Sequence, residues 1–329
     1  MVLSCPSRVA RASLSGMGTR IGELAALLTA VSWTFTAFAF AFAARRIGSL
    51  ALNVLRLTVA LLLFAVLGLV LRGEPFPLAA PSSVWFWLSL SGLAGFVFGD
   101  LFLFQAYIDL GARLTQVVFA SAPLMTAIIG RLALGETIGP PGILGMIVVI
   151  CGIAMVVAKK PGDASSTKEP VHPHRARGVV FALLAALGQA GGLVLSKIGA
   201  PHFDPFAATQ IRVIAGLAGF LVVAAVWRRF REPWRALKDR KALGILSVGA
   251  FFGPFLGVSM GLFAVQRTGA GAAATLMGLT PILILVPALF HQQGKNQADG
   301  VPGRHRRRFR NRAAVFVLNA LAATWSARI

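Results

Sequence analysis

Stretches of about 20 mostly apolar residues recur along almost the whole chain, and no other feature limits its fold so strongly. Nine can be drawn, at 21–43, 49–71, 84–107, 114–134, 139–158, 177–199, 206–228, 242–264 and 268–290. At about 1.5 Å of rise per residue, each matches roughly 30 Å of hydrocarbon, whereas a buried helix of a soluble domain rarely exceeds roughly 14 such residues. The charged fraction is 13%, well below the roughly 25% of soluble domains. Alternation with a period of two is absent, which excludes a transmembrane barrel. Gly and Pro inside several runs are tolerated in lipid. The chain therefore reads as an all-α integral membrane protein, multi-pass in the cell membrane, with nine or ten spans.

The net charge of +21 would suit nucleic acid, but its placement does not. Lys and Arg gather in short connectors and near the C-terminus, where they face anionic lipid headgroups. The implied partners are a bilayer with anionic lipids and a small-molecule solute, without nucleic acid, in a monomer or homodimer. Cys5 lies in a polar leader and Cys151 in an apolar run, so no disulfide framework is implied. Five scattered histidines offer no metal set, and the glycine runs lack the GK[ST] of a phosphate loop. No cofactor is implied, and coupling to protons or another ion stays open. Residues 1–20 read as a basic polar tail before a retained helix, with Met17 an alternative start.

The polar interval 159–176, KKPGDASSTKEPVHPHRA, is a flexible linker between two halves, 21–158 and 177–290. The halves repeat. Gly95, Gly99, Gly111 and Pro123 recur 158 residues later as Gly253, Gly257, Gly269 and Pro281, and Arg56 recurs 156 residues later as Arg212. An odd number of spans per half would place the copies in opposite orientations, as in many secondary transporters. After residue 290 the pattern breaks into HQQGKNQADGVPGRHRRRFRNR, and only 313–325 is apolar again. At about 13 residues this is short for a crossing, so 291–329 reads as an atypical basic tail, with the tenth helix degraded or missing. A second basic connector, 228–241, reads as a short interfacial helix anchored by Trp234. Arg45, Arg46, Arg175, Arg177 and the Lys/Arg of 228–241 lie on one side, which positive-inside counting makes cytoplasmic and which puts the N-terminus outside.

The early helix with Trp33, one Arg in the second helix of each half, the Gly-rich third helix GLAGFVFGDLFLFQ and the run APLMTAIIGRLALGE at 122–136 resemble the EamA family of the drug/metabolite transporter superfamily. The resemblance covers about 20–290. It implies two inverted five-helix repeats in a ten-helix transporter-like bundle that moves small metabolites. It also implies cytoplasmic termini, which opposes the charge count, so orientation stays open. Glu136 matches the family's helix-four glutamate. Its counterpart in the second half is expected near 294, where the chain has Gly294; a frameshifted or truncated C-terminus would explain that departure.

Polar groups at membrane depth face an interior or a wet cavity, since exposure to hydrocarbon is costly. Trp33, Arg56, Asp100, Gln105, Tyr107, Gln189, Gln210 and Arg212 are the candidate cavity-lining or substrate-binding residues. Each has a plainer reading. Arg56 and Arg212 either meet an anionic substrate or snorkel to headgroups. Asp100 either serves coupling or cation binding, or forms an ion pair with Arg56. Gly95, Gly99, Pro123, Glu136, Gly253, Gly257 and Pro281 are the candidates for close helix packing and gating.

These features favour a non-enzymatic secondary transporter of a small metabolite, an amino-acid-like solute or drug, with export the favoured direction and alternating access of two inverted repeats as the mechanism. The alternatives are a non-transporting scaffold, a defective truncated copy, or a membrane enzyme using His172 and His174.

Overall fold

The computed structural model describes residues 8–136, 174–268 and 270–278, with positions 143, 147, 280 and 283 besides. The fifth predicted segment, most of the linker, Cys5, Cys151, His172, Gly269, Pro281, Gly294 and the tail 291–329 lie outside the described residues. Residues 282–329 belong to a unit of their own.

All described elements are helical: α1 (Arg8–Ile47), α2 (Ser49–Arg72), α3 (Ser82–Gly92), α4 (Asp100–Phe119), α5 (Ala122–Leu134), α6 (Arg175–Gly199), α7 (Pro205–Val226), α8 (Arg231–Ala236), α9 (Arg240–Ala250), α10 (Val258–Thr268) and α11 (Ala270–Met277). Seven helical stretches among the described residues are long and apolar enough to cross a membrane: Arg20–Ile47, Ser49–Arg72, Ser82–Ala112, Leu114–Leu134, Arg175–Gly199, Pro205–Val226 and Arg240–Thr268. Each coincides with a segment expected from hydropathy. The ninth segment is described only in its first part, as α11.

Local chemistry sets the boundaries. Asp204 accepts the Ala207 backbone N–H at 2.7 Å and Pro205 opens α7, an N-cap followed by the residue that best tolerates the first turn. Asp239 caps α9 in the same way, accepting from Ala242 N at 3.0 Å. Gly111 has φ 79° and ψ 165° inside α4. A side chain there would be strained, so this glycine makes the break that ends the third span and starts the fourth. Thr29, Thr34 and Thr36 donate to the carbonyls of Ala25, Ala30 and Ser32, one turn back, which satisfies hydroxyls that have no water at that depth.

The distribution of side-chain size is that of a bundle in lipid. Interior positions carry small residues such as Ala26, Ala43, Ala60, Ala185 and Ala208, all fully buried. Leu62, Val70 and Leu132 point outward and are 63%, 75% and 81% exposed. In water such an apolar belt would drive aggregation; in hydrocarbon it is solvated, and small interior residues let helices approach closely. Trp227 and Trp234 are exposed beside the basic connector, and α8 buries Pro233 and Ala236 while leaving Trp234 outward. A short helix thus stands within the 228–241 connector, where the sequence leads one to expect it.

Contacts between the halves come in corresponding sets. α3, the turn after it and α4 pack along α6, while α9, the turn after it and α10 pack along α1. α2 packs on α7, and α5 on α11. Exchanging the halves converts each contact into another on the same roster. Ion pairs fix the ends: Arg46 Nε donates to Asp239 at 2.7 Å, Arg177 grips Asp109 through two bonds of 2.9 and 2.8 Å, and Lys197 pairs with Glu136.

Two π-helical turns interrupt the long spans, Leu93–Gly99 between α3 and α4, and Phe251–Gly257 between α9 and α10. They occupy equivalent positions 158 residues apart. The second contains Pro254, which has no N–H to donate. Such wider turns are rare and concentrate at functional places.

Candidate functional site

Two adjoining chambers lie inside the bundle, between α1, α2, α4, α5, α6, α7, α10 and α11. Trp33, Gln116, Phe119, Gln189 and Val258 line both. Trp33 reaches this position because Gly257 has no side chain: a methyl there would lie 2.9 Å from the indole Cδ1 and Nε1. Gly253 similarly makes room for Thr36, whose Cγ2 would be 2.8 Å from an added methyl. On the helix that carries Gln189, glycine meets glycine. Gly188 and Gly192 of α6 press on Gly99 and Gly95 of the first π-helical turn. The small-residue rows expected for close packing thus shape this interior.

The smaller chamber, about 460 Å³ of atom-free space, holds Arg56, Asp100 and Tyr107 among Phe40, Phe96 and Phe104. Arg56 is fully committed. It donates to Asp100, and through Nε and Nη2 to Asn53 Oδ1 at 3.0 and 2.9 Å. Its guanidinium carbon lies 4.7 Å from the centroid of Phe104 and 5.6 Å from those of Phe40 and Phe96. A guanidinium at such depth is tolerable when a carboxylate, an amide and aromatic faces replace water. Tyr107 accepts at its hydroxyl from Gln116 Nε2.

The larger chamber, about 680 Å³, is lined by Arg212 with Pro123, Thr126, Leu193, Gly261 and Met277. Arg212 is 2% exposed. It stacks on Phe96 at 5.2 Å, so that ring lies under both arginines. Its Nε has no hydrogen-bond partner, and no hydrogen bond or salt bridge from its side chain occurs among the described residues.

Gln105 and Gln210 line neither chamber. Gln105 donates to Asp109 at 3.3 Å, near the end of the third span. Gln210 accepts from Arg72 at 2.9 Å and donates to the Pro75 carbonyl at 2.6 Å, tying α7 to the loop after α2. Glu136 is paired with Lys197 at the other end of α6 and takes no part in either chamber. Phe40 belongs to the Phe-rich run 35–42 that the sequence offers as an apolar wall, whereas Asn53, Gln116, Thr126, Phe96, Phe104 and Phe119 are lining or pairing residues that sequence reasoning missed. Asn53 carries a usable signal, since it stands three residues before Arg56 and hence on the same helix face. Gln116 has none, being five residues past a break that only Gly111 reveals. Among the described residues no group of three or more His, Cys, Asp or Glu could hold a metal ion.

The profile of the EamA-like transporter family matches residues 20–158 and 176–291, most of the chain in two successive blocks. The chain belongs to the EamA-like transporter family. It is therefore a secondary-transporter-like, multi-pass protein of the drug/metabolite transporter superfamily, embedded in a lipid bilayer. It is similar to an uncharacterized transporter of Synechocystis sp., with 26% identity over 208 residues, 61% of this chain and 62% of that one. The alignment thus spans less than two thirds of that relative's length. A protein of solved crystal structure shares the fold, with a TM-score of 0.53 at 18% identity, covering 84% of this chain and 89% of the other. In this EamA-like chain the two chambers lie among the described helices of the bundle.

Proposed function

We propose that the chain carries a small organic solute across the membrane by alternating access, with the paired chambers as the solute site. In this reading 21–158 and 177–290 are inverted repeats of a ten-helix plan, joined by the linker 159–176, and they rock about the chambers. The observation that carries the reading is a buried guanidinium, Arg212, unpaired among the described residues and facing an apolar chamber where equivalent spans of the two halves meet. Buried charges left without partners are costly, and a ligand site is the commonest reason to retain one. The correspondence of the contacts between the halves and the matching π-helical turns support the repeat. Asp100, already bound to Arg56, is assigned to holding that arginine and not to carrying a coupling proton.

The test is flux in proteoliposomes. Purified protein is expected to move solutes from a panel of amino acids, organic acids and amphiphilic amines, with rates that respond to an imposed proton or sodium gradient and fall at least about tenfold in Arg212→Ala, the loss of one charged contact. Absence of flux for every solute under both gradients would favour the scaffold or defective-copy reading.

A further inference from the structure

Arg56 and Arg212 occupy equivalent places in α2 and α7, and both are almost wholly buried, at 3% and 2% exposure. Their surroundings differ in one respect. Arg56 has two polar partners, Asn53 on its own helix and Asp100, the first residue after the π-helical turn. In the second half the residue three before Arg212 is Thr209, whose hydroxyl donates to the Pro205 carbonyl at 2.7 Å. The residue after the second π-helical turn is Val258. Both acceptors that satisfy the first arginine are therefore replaced, at the equivalent positions, by groups that do not bond the second.

We propose that Arg212 is the binding group for the carboxylate of a small organic monoanion, which takes the place that Asp100 fills beside Arg56. The inference rests on the transporter reading and adds the chemical class of its solute.

Charge and shape favour a monoanion with an apolar body. Among the described residues two guanidiniums and one carboxylate line the chambers, leaving one positive charge for the ligand to offset. Asp100 interacts with Arg212 through space but makes no hydrogen bond to it, so the positive charge stays centred on Arg212. Val258, Leu193 and Met277 give the chamber an apolar wall suited to a hydrocarbon body. Gln189 adds one polar point: a methyl on Gly95 would lie 3.2 Å from both Gln189 Oε1 and Arg212 Nη2, so amide and guanidinium flank the same glycine. A bidentate carboxylate on a guanidinium is the strong form of such a contact.

The deciding variant is Val258→Asp, which restores to the second half the acid found in the first. It is expected to pair with Arg212 and leave unliganded protein folded with an unchanged or higher midpoint temperature. The probes are butyrate, hexanoate and phenylacetate, with phenylacetamide and phenethylamine as neutral and cationic controls, titrated into detergent-solubilised protein with thermal stabilisation as the readout. Phenylacetate is expected to stabilise wild type saturably while phenylacetamide does not. Binding is expected to weaken by about tenfold or more in Val258→Asp and in Arg212→Gln, and to recover in part in Arg212→Lys.

Several results would overturn the proposal: no stabilisation by any carboxylate, equal stabilisation by acid and amide, full reproduction of the shift by chloride, or unchanged affinity in the two variants. Flux separates it from the transporter reading. Transport of neutral or cationic solutes that survives Val258→Asp overturns the carboxylate site and leaves transport standing. Saturable carboxylate binding lost in Val258→Asp, with no flux of any solute, overturns transport and leaves the site standing.

Discussion

Gly188 and Gly99 meet backbone to backbone, so closely that a methyl on Gly188 would lie 2.7 Å from the Gly99 Cα and 2.8 Å from its nitrogen. Neither atom is the movable end of a side chain, so the helices themselves would have to part. Gly188→Ala is expected to destabilise by about 1–3 kcal/mol, the usual cost of overpacking, and to lower the midpoint temperature in detergent. Gly191, three residues on, has open space around its added methyl. Gly191→Ala is expected to be neutral or stabilising by up to about 1 kcal/mol through helix propensity. Equal effects at both positions would refute the close approach.

The buried pair of Arg56 and Asp100 makes a second prediction. Removing one member leaves an uncompensated charge, so Asp100→Leu alone is expected to cost about 3–5 kcal/mol. The double variant Arg56→Met, Asp100→Leu removes both charges and is expected to recover most of that loss. Thermal midpoints of the three proteins check this; a double variant no more stable than the single one would contradict it.

The Arg46–Asp239 contact makes stability depend on pH. Bonding to Arg46 and, next, to the Ala242 N–H holds the Asp239 carboxyl below the usual carboxylate range. A lowered pKa in the folded state means that the stabilisation is present above the unfolded value of about 3.9 and is lost as pH falls through the folded value. Asp239→Asn keeps a capping side chain but does not titrate. Between pH 5 and 3, as an approximate window, the wild-type midpoint is expected to fall more steeply than that of Asp239→Asn, and parallel slopes would exclude the contact as a source.

Arg46, Arg177 and the connector containing Trp234 share one end of the bundle, through the Arg46–Asp239 and Arg177–Asp109 pairs. Positive-inside counting predicts that end to be cytoplasmic, the resemblance to the family predicts the opposite, and labelling decides between them. With Cys5 and Cys151 replaced by Ser, a Trp234→Cys protein is expected to react with a membrane-impermeant maleimide in inside-out vesicles and not in intact cells. The reverse labelling would turn the molecule over.

Spans were the most legible feature, because lipid demands about 20 apolar residues whatever the tertiary contacts. The seven described crossings fall where hydropathy puts them, and the glycine rows at 95, 99, 253 and 257 mark where helices come close. Residue type alone could not tell Gln189, at the chambers, from Gln105 and Gln210, which are spent on Asp109 and on Arg72 with Pro75. Gln105 is held by a partner four residues on, Gln210 by partners 138 and 135 residues away, and residue type signals neither. The Arg56–Asp100 pair was one of two readings open for that aspartate, and only packing decides between them. The π-helical turns leave no pattern that a 3.6-residue period detects.

Those turns have a mechanical corollary. A widened turn accommodates one residue more than an α-helix would, which advances everything downstream by about 100° around the axis. Asp100 and Val258 each stand first after such a turn. Deleting a single residue from Leu93–Gly99 would therefore unscrew the aspartate away from Arg56, and the same deletion in Phe251–Gly257 would swing the valine off its chamber. In this chain, what an arginine meets inside the bundle is a matter of helical phase as much as of residue identity.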